Sequence, residues 1–363
     1  MLGPWDFTGD LVLRPTNRYH GTAVDYSQLL QYVFKRFSVL SAFRTGLPTL
    51  GYHLTRSPLP PGEKPALFTM NILPPMMTVW HHLVRKNLGN RVDTVIFDCS
   101  GRLDPAAFPG ARVQKYLNLY AATKSDEFLY RIARHRRIGW ICDDDMFIIR
   151  PEAADIVERE LGVPGTASVS FRPREWWHFE IDGKPYPVSS SYSIAFNREI
   201  VVERERLSLK PVDGNTHPSH IGKKERRYDT GDKANEILLR KGYRCAIVPE
   251  VEREKYVTGF SSMSGAVMLL WYFHRPEQME DYLLTPSKDR WMGNVLYGVL
   301  AGLLAITSVQ ECYERLKGRP YPLRSLPSRS SLEKIRREHE PLLREGHSYR
   351  WVDEASERLR HAL

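Results

Sequence analysis

Three consecutive aspartates, Asp143–Asp145, stand between two apolar runs, and this setting points to metal chemistry. The run Ile138–Cys142 precedes them and Met146–Ile149 follows. Carboxylates flanked by buried strand are costly unless their charge is compensated, and hard cations such as Mn²⁺ or Mg²⁺ bind carboxylate and phosphate oxygens together. Alternate residues of an extended segment face the same way. We therefore predict that Asp143 and Asp145 hold a metal-bound diphosphate; a solvated turn or strand-end cap is the alternative.

The elements that must position these aspartates predict an α/β fold. Residues 66–72 and 92–97 read as buried strands, with a helix over 74–87 between them. A helical stretch over 124–137 leads into the strand Ile138–Cys142. Strands alternating with helices predict a Rossmann-like, mostly parallel sheet with helices on both faces, and such sheets bind ligands beyond the carboxyl ends of their strands. Asp98 falls at the same edge as the three aspartates.

The rest of the chain divides by pattern. Residues 1–64 are predicted to be a helical extension, with an apolar helix face over 24–43, and residues 65–280 the catalytic domain. Residues 281–363 are predicted to be helical, with a charged, solvated tail from Ser328. The catalytic domain is completed by a loop-rich middle containing two tryptophans, a strand over 189–196, a helix over 232–240 and a strand over 245–248.

In the order of these segments the chain resembles glycosyltransferases of the GT-A type, over about residues 65–275. Asp143–Asp145 ends a core strand as that family's D-x-D motif does, and Thr94–Gly101 is similar to its second strand. Tyr192–Glu199 is similar to the strand after the acceptor loop, and Asp229–Glu250 to the ending that runs acid, helix, Gly-Tyr-Arg, strand, Pro-Glu. The resemblance implies a transferase that uses a nucleoside-diphosphate sugar and Mn²⁺ or Mg²⁺.

The resemblance also implies roles for individual residues. Asp232, or second Asp229, would be the base that accepts the acceptor hydroxyl proton in an inverting reaction, although a plain helix cap is an alternative for Asp232. Further predicted contacts are nucleotide binding by Asn71, Asp98 and Asp143, metal binding by Asp143, Asp145 and His274, and acceptor binding by Trp176 and Trp177.

The composition limits the expected cellular compartment and class of partner, but it identifies no single partner. The 52 Lys and Arg outnumber the 43 Asp and Glu, giving a net charge of +9. No nucleic-acid-binding motif accompanies that charge, so no nucleic-acid partner is expected. The four cysteines are far apart, which favours a reduced, cytoplasmic setting. The apolar segment from Trp291 to Tyr313 reads as a buried helix or as a membrane-surface helix, and the second interpretation predicts peripheral attachment and a saccharide or lipid-linked acceptor.

Other functions fit the motifs less well. Phe97–Gly101 is similar to the nucleophile strand of haloacid-dehalogenase-type phosphatases, but Ser100 stands where their second aspartate would be. A nucleotidyltransferase would need a Gly-rich, Arg-bearing loop after the first strand, where this chain has Leu73–Pro75. A non-catalytic saccharide-binding or scaffold protein stays open as the main alternative.

Overall fold

A computed structural model of the protein describes residues 44–55, 57–118, 121–210, 212, 228–261, 263–285 and 295–363, without the side chains of residues 175–177 and 295. The predicted helix over 24–43 lies outside these ranges. The described chain forms two compact units. The first comprises residues 44–74 and 80–258, and the second residues 75–79 and 259–363.

The first unit is built on a seven-stranded sheet in the order β10-β6-β9-β4-β1-β2-β3. All neighbouring strands run parallel except β9, which is antiparallel to both β4 and β6. The predicted α/β class with a mostly parallel sheet is confirmed. The strands of this sheet are β1 (Ala66–Asn71), β2 (Asp93–Asp98), β3 (Ala111–Lys115), β4 (Ile138–Cys142), β6 (Thr166–Ser170), β9 (Ser193–Asn197) and β10 (Arg244–Ile247).

The remaining strands form two smaller, two-stranded sheets. The short strands β5 (Met146–Ile148) and β11 (Val257–Gly259) pair with each other, and β7 (Pro173–Ile181) pairs with β8 (Lys184–Ser189) as an antiparallel hairpin. The hairpin turns at Asp182 and Gly183, which both have positive φ. Sequence reasoning treated this region as loops, and that interpretation is wrong: it contains a helix, β6 and the hairpin.

The helices are α1 (Leu47–Thr55), α2 (Pro74–Asn87), α3 (Ala121–Glu127), α4 (Glu152–Gly162), α5 (Asp232–Arg240), α6 (Glu250–Tyr256), α7 (Met263–Tyr272), α8 (Pro276–Leu284), α9 (Val295–Lys317), α10 (Arg329–His339) and α11 (Arg350–Ala362). Helix α3 continues as a π-turn over Phe128–Ile132, so the helical stretch predicted over 124–137 begins earlier and ends earlier.

The core of the first unit shows why these segments become strands. Phe68 of β1 stacks on Phe128 with ring centroids 4.7 Å apart, and Phe97 of β2 stacks on Tyr116 at 4.2 Å. Both strand aromatics are fully buried in one apolar cluster, which also takes in Leu238 of α5. Removing such aromatic area from water is the main stabilising term of a sheet-and-helix core.

The second unit is helical, and α9 is its central element. Helix α9 contacts α7, α10 and α11, and residues 296–309 are all buried. It is the one described helix long and apolar enough to span a membrane, yet 83% of its apolar window lies inside the structure. Helices α10 and α11 bury Leu332, Ile335 and Leu359, so the charged tail is helical as predicted but not wholly solvated.

Candidate active site

The carboxyl edge of the parallel strands collects the residues that sequence analysis selected. Asn71 ends β1, Asp98 ends β2, and Asp143–Asp145 follow β4. The register places Asn71 beside Asp98, and Phe68 beside Ile141, so that Asn71 lies level with Asp144. Parallel strands that end together therefore bring these side chains to one edge, as the α/β pattern predicts.

Asp143–Asp145 lie in a tight turn. The Asp143 amide donates to the Tyr192 carbonyl oxygen at 2.7 Å, and the Met146 amide donates back to the Asp143 carbonyl oxygen at 3.0 Å. The premise that Asp143 and Asp145 alternate along an extended segment is wrong, because the chain reverses here from β4 into β5. One turn carries all three carboxylates, and each residue is partly exposed.

The charges of this turn are poorly compensated within the protein. Burial, reinforced by Asp144, raises the pKa of Asp143 to about 8. Burial also raises the pKa of Asp144 to about 6, opposed by a hydrogen bond from Asn71, and it raises the pKa of Asp145 well above its usual range. Carboxylates that resist ionisation in this way bind a cation favourably once one is available.

Two buried oxygens at this edge lack partners. Asn71 Nδ2 donates to Asp144 Oδ2 at 2.9 Å and to the Leu73 carbonyl oxygen at 3.0 Å, but Asn71 Oδ1 accepts no hydrogen bond from the described residues. Asp145 Oδ1 is likewise buried and unpaired within the described part of the chain. Carboxylate and amide oxygens are the ligand atoms that Mn²⁺ and Mg²⁺ prefer, so Asp145 and Asn71 fit such a metal.

The metal site would be incomplete without a substrate. Among the described residues, no three His, Cys, Asp or Glu side chains converge on one point. Mg²⁺ and similar cations are commonly held by one or two carboxylates together with substrate phosphates and water.

Three cations surround the turn, and sequence reasoning missed all of them. Lys124 is 3% exposed, donates to Asn118 Oδ1 at 3.0 Å, and its charge opposes the rise in the pKa values of Asp143 and Asp144. Arg172 acts in the same way on the pKa of Asp145, and Arg174 on that of Asp143. The available signal was positional, since Arg172 lies two residues after the end of the buried strand β6 and Arg174 two residues further on, at the start of β7.

The Asp98 carboxylate accepts four hydrogen bonds from the loop that follows it. Its Oδ1 accepts from the Ser100 amide at 3.0 Å, the Ser100 hydroxyl at 2.6 Å and the Gly101 amide at 2.8 Å, while its Oδ2 accepts from the Leu103 amide at 3.0 Å. The side chain is fully buried. Gly101 has φ +64°, and a Cβ there would lie 2.6 Å from Arg44 Cβ, so the turn requires glycine. Asp98 therefore shapes this loop, and nucleotide binding by Asp98 stays a prediction.

Asp232 begins α5 inside a buried ion pair. Its Oδ1 accepts from Arg174 Nε at 3.0 Å, and its Oδ2 accepts from the Asp229 amide at 3.0 Å. The side chains of Asp232 and Arg174 are 1% and 4% exposed. Burial raises the pKa of Asp232 to about 6, with Arg174 opposing the rise. Both carboxylate oxygens are thus occupied, and Asp232 positions its neighbours.

Asp229 is the more accessible carboxylate of this pair. Its side chain is 43% exposed and lies 3.4 Å from Arg174 Nη2, and its Oδ1 accepts from the Thr230 amide at 2.7 Å. Gly231, with φ +79°, makes the turn that brings Asp229 and Asp232 together. The charge of Asp229 also raises the pKa of Asp143, which indicates that the two sites share one electrostatic environment.

A recess lies between the aspartate turn and the start of α5. Together with the solvent space at its mouth, it measures about 530 Å³. Asp143, Ser189, Ser191, Thr230 and Gly231 line its polar part, and the remainder is mainly apolar. One carboxylate of the aspartate turn therefore lies on the wall of this recess, together with Thr230 and Gly231, the two residues between Asp229 and Asp232.

Three remaining predicted site residues are less defined. Trp176 and Trp177 lie in strand β7, not in a loop, and their side chains are outside the described part of the structure. His274 belongs to the second unit, is exposed, and its amide donates to Gln278 Oε1 at 2.9 Å. Acceptor binding by the tryptophans and metal binding by His274 stay predictions.

No protein-family model matches this chain, and no curated protein matches it. Solved structures similar to it include the mannosyltransferase PcManGT from Pyrobaculum calidifontis in complex with GDP-Man and Mn²⁺, at 14% identity over 91% of this chain and 97% of that chain, with a TM-score of 0.37. A 4-diphosphocytidyl-2C-methyl-D-erythritol synthase from Anaerococcus prevotii is 9% identical over 51% of this chain and 86% of its own, with a TM-score of 0.34. A cytidylyltransferase from Leptospira borgpetersenii is 10% identical over 58% of this chain and 88% of its own, with a TM-score of 0.35.

Proposed function

We propose that this chain is a metal-dependent glycosyltransferase that moves a sugar from a nucleoside-diphosphate sugar to the hydroxyl of a saccharide or lipid-linked acceptor. The observation that carries the proposal is the turn Asp143–Asp145 at the carboxyl edge of the sheet. It combines raised pKa values with three nearby cations and with a buried oxygen of Asp145 that has no hydrogen-bond partner among the described residues. Carboxylates for a divalent metal beside basic side chains for phosphates form a diphosphate-binding set.

In the proposed reaction, each of these residues would have a separate role. Asp145 and Asp143 would hold Mn²⁺ or Mg²⁺, which when bound neutralises charge on the departing nucleoside diphosphate. Lys124 and Arg172 would add positive charge at the same place, because their charges already act on the aspartates of the turn. Asn71 would fix the turn through its hydrogen bond to Asp144.

For the base, the accessible carboxylate is Asp229. A general base must come within hydrogen-bond reach of the hydroxyl that it deprotonates. Asp232 is 1% exposed with both oxygens occupied, whereas the side chain of Asp229 is 43% exposed. We therefore propose that Asp229 accepts the proton and that the Arg174–Asp232 pair positions it. Direct displacement assisted by such a base inverts the donor anomeric centre.

The nucleotidyltransferase alternative has little support from the first βα connection. Strand β1 ends at Asn71 and α2 begins at Pro74, so only two residues connect them. A Gly-rich loop that cradles a nucleoside triphosphate needs more chain than this. The short connection favours a donor that brings its diphosphate to the aspartate turn.

Nucleotide release tests the proposal directly. The protein is incubated with a panel of nucleoside-diphosphate sugars and Mn²⁺, with and without EDTA, and nucleoside diphosphate is measured. We expect release with one donor class, dependent on metal and enhanced by acceptor. Release of pyrophosphate from a nucleoside triphosphate and a sugar phosphate would instead identify a nucleotidyltransferase.

Thermal shift separates binding from turnover. Nucleoside diphosphate and Mn²⁺ together should raise the Tm more than either alone, since a ligand bound only by the folded state stabilises it. Stabilisation without turnover of any donor would indicate the non-catalytic saccharide-binding alternative. No stabilisation by any nucleotide with metal would contradict the proposal.

A further inference from the structure

Three residues that line the recess beside the aspartate turn carry a buried polar atom with no hydrogen-bond partner among the described residues. The atoms are Ser168 Oγ, Ser189 Oγ and Asn235 Nδ2. The three residues are only 1%, 3% and 4% exposed. Buried polar groups are nearly always paired, because an unpaired one loses the hydrogen bonds that it makes with water. Three such groups on the wall of one recess indicate that a bound molecule completes them.

The three side chains come from different elements and are held in place by them. Ser168 lies in β6, Ser189 is the last residue of β8, and Asn235 lies near the start of α5. Asn235 Oδ1 accepts from the Ser189 amide at 2.9 Å, and this bond leaves the NH₂ group of Asn235 as the end that can donate to a ligand. Burial raises the pKa of the Cys245 thiol, with Ser168 and Asn235 opposing the rise. A thiol is a weak hydrogen-bonding group, so its presence leaves Ser168 and Asn235 able to bind a stronger partner.

The rest of the wall is mainly apolar. The recess lies between the sheet, which contributes Met70, Ile141 and Phe196, and the helices α3 and α5. Binding sites for small molecules commonly combine apolar walls with a few polar groups that fix the orientation of the ligand. A sugar ring matches such a wall, because it presents hydroxyl groups at its edge and C–H groups on its faces.

The charge of the wall indicates which sugars fit. On the described part of the wall, the one charged side chain is Asp143, and no Lys, Arg or His lies there. Lys124, Arg172 and Arg174 act on the aspartate turn but are not among these wall residues. A sugar that carries a carboxylate would bring a second negative charge beside Asp143 without a cation to pair with, which is unfavourable in a partly buried site.

We propose that the recess holds the sugar of the donor, and that Ser168, Ser189 and Asn235 bind its hydroxyl groups and select a neutral hexose over a hexuronate. The inference rests on the proposed function, because a sugar attached to a diphosphate at the aspartate turn lies next to Asp143. The amide of Asn235 donates to a sugar oxygen, and each serine hydroxyl donates or accepts. A site that hydrogen-bonds a substrate hydroxyl discriminates against analogues that lack it.

The test is donor affinity, measured by titration calorimetry with the full-length protein and Mn²⁺. The probes are the nucleoside diphosphate that binds best, its hexose conjugates of gluco, galacto and manno configuration, and the hexuronate that corresponds to each. At least one hexose donor should bind about 10-fold or more tightly than its hexuronate. If no nucleoside diphosphate binds, the proposed function and this inference are both overturned. If nucleotide binds but each hexose and its hexuronate have equal affinity, this inference alone is overturned.

A double variant, Ser168→Ala with Ser189→Ala, tests the hydroxyl groups themselves. It should bind the preferred hexose donor about 10-fold more weakly and the nucleoside diphosphate alone as tightly as wild type does, because two hydrogen bonds to the sugar are lost. Its Tm without ligand should be unchanged or higher, since neither hydroxyl has a hydrogen-bond partner among the described residues.

Ser308 provides the matched control, because it is a buried serine of the second unit whose hydroxyl is paired. It donates to the Leu304 carbonyl oxygen at 3.2 Å and accepts from Arg329 Nη2 at 3.1 Å. Ser308→Ala should lower the Tm and leave donor affinity unchanged. A double variant that behaves in this way would show that Ser168 and Ser189 serve the fold or hold ordered water, and would overturn the inference. Equal weakening of hexose donor and nucleoside diphosphate in the double variant would also overturn it.

Discussion

Asp98 and Asp145 occupy comparable places in the fold, Asp98 as the last residue of β2 and Asp145 in the turn that follows β4, yet their surroundings differ. The Asp98 carboxylate accepts four hydrogen bonds from residues 100–103 and is fully buried. Asp145 has a buried oxygen with no partner in the part of the chain that the structure describes, and burial together with Asp143 raises its pKa well above the usual range. The hydrogen-bonding capacity of Asp98 is used by its own loop, whereas the charge of Asp145 is only partly compensated, by Arg172.

Under the proposed function, this difference separates a structural acid, Asp98, from one that binds a ligand, Asp145. A buried carboxylate with several N–H donors stabilises the loop that supplies them, and its removal costs stability. A carboxylate held beside other carboxylates costs stability in the free protein, and such arrangements persist where a ligand uses them. We therefore expect substitution of Asp145 to change ligand binding and substitution of Asp98 to change the stability of the fold.

The largest effect is expected for Asp145→Ala. This change removes the unpaired oxygen that we assign to the metal, so metal-dependent nucleotide binding and turnover should both be lost, a fall of about 10³-fold or more in rate. The free energy of unfolding without metal should be unchanged or higher, because a repulsion is relieved. Titration calorimetry with nucleoside diphosphate and Mn²⁺, and urea unfolding in EDTA, measure the two quantities. Retained metal-dependent binding would remove Asp145 from the site.

The next effect separates the two candidate bases. Asp229→Asn should reduce kcat by about 10² or more while leaving donor and metal affinity nearly intact, since a base acts only when the hydroxyl attacks. Asp232→Asn should instead lower the free energy of unfolding by about 3 kcal/mol, because Arg174 loses its buried partner. The fall of kcat at low pH, which reports protonation of the base, should persist in Asp232→Asn and disappear in Asp229→Asn.

Product configuration is the independent check on this assignment. NMR of the glycoside formed by wild-type protein should show inversion at the donor anomeric centre. A retained configuration, or an Asp229→Asn enzyme with a normal rate, would contradict the role of Asp229 and leave the metal assignment standing. A stable Asp232→Asn protein with a lost rate would return the base to Asp232.

A smaller effect, on folding, is expected for Asp98→Asn. An amide cannot accept all four hydrogen bonds, and its NH₂ group would face one of the N–H donors of the loop. We expect a loss of about 2–3 kcal/mol in the free energy of unfolding, measured with urea. Donor affinity should fall only as far as the loop is disturbed. A variant of normal stability that fails to bind donor would show that Asp98 contacts the nucleotide directly, as the family resemblance predicted.

The fold was predictable where local signals agree. Pro74 and Pro75 at the first turn, followed by an apolar periodicity, predicted the helix Pro74–Asn87, and the helix Asp232–Arg240 was predicted equally well. The hairpin of β7 and β8 was missed although Asp182-Gly183 is the commonest type of two-residue hairpin turn. Its strands alternate poorly, and two prolines in β8 obscure the pattern.

The site was predictable only in part, for a physical reason. The rule that parallel strands end at one edge located Asn71, Asp98 and Asp143–Asp145 together. It could not say which carboxylate is saturated, because backbone amides supply the hydrogen bonds of Asp98 and every residue type offers the same amide. Arg174 was missed because it reaches Asp232 across 58 residues of chain.

The smallest effect concerns pH, and it tests the lack of compensation at the aspartate turn. Burial, with Asp144 adding to it, raises the pKa of Asp143 to about 8 in the folded state, far above the value near 3.9 of an unfolded chain. Between these pH values the folded state binds more protons than the unfolded state, so the free energy of unfolding should fall as pH rises from about 4 to about 8. A variant with Asp143→Asn and Asp145→Asn should lose this contribution and show a flatter dependence. Since these side chains reach solvent, we expect a difference of about 1 kcal/mol between the two proteins at pH 8 relative to pH 5, by urea unfolding in EDTA. Mn²⁺ with nucleoside diphosphate should remove the deficit in wild-type protein only, and equal slopes for the two proteins would show that the turn is compensated after all.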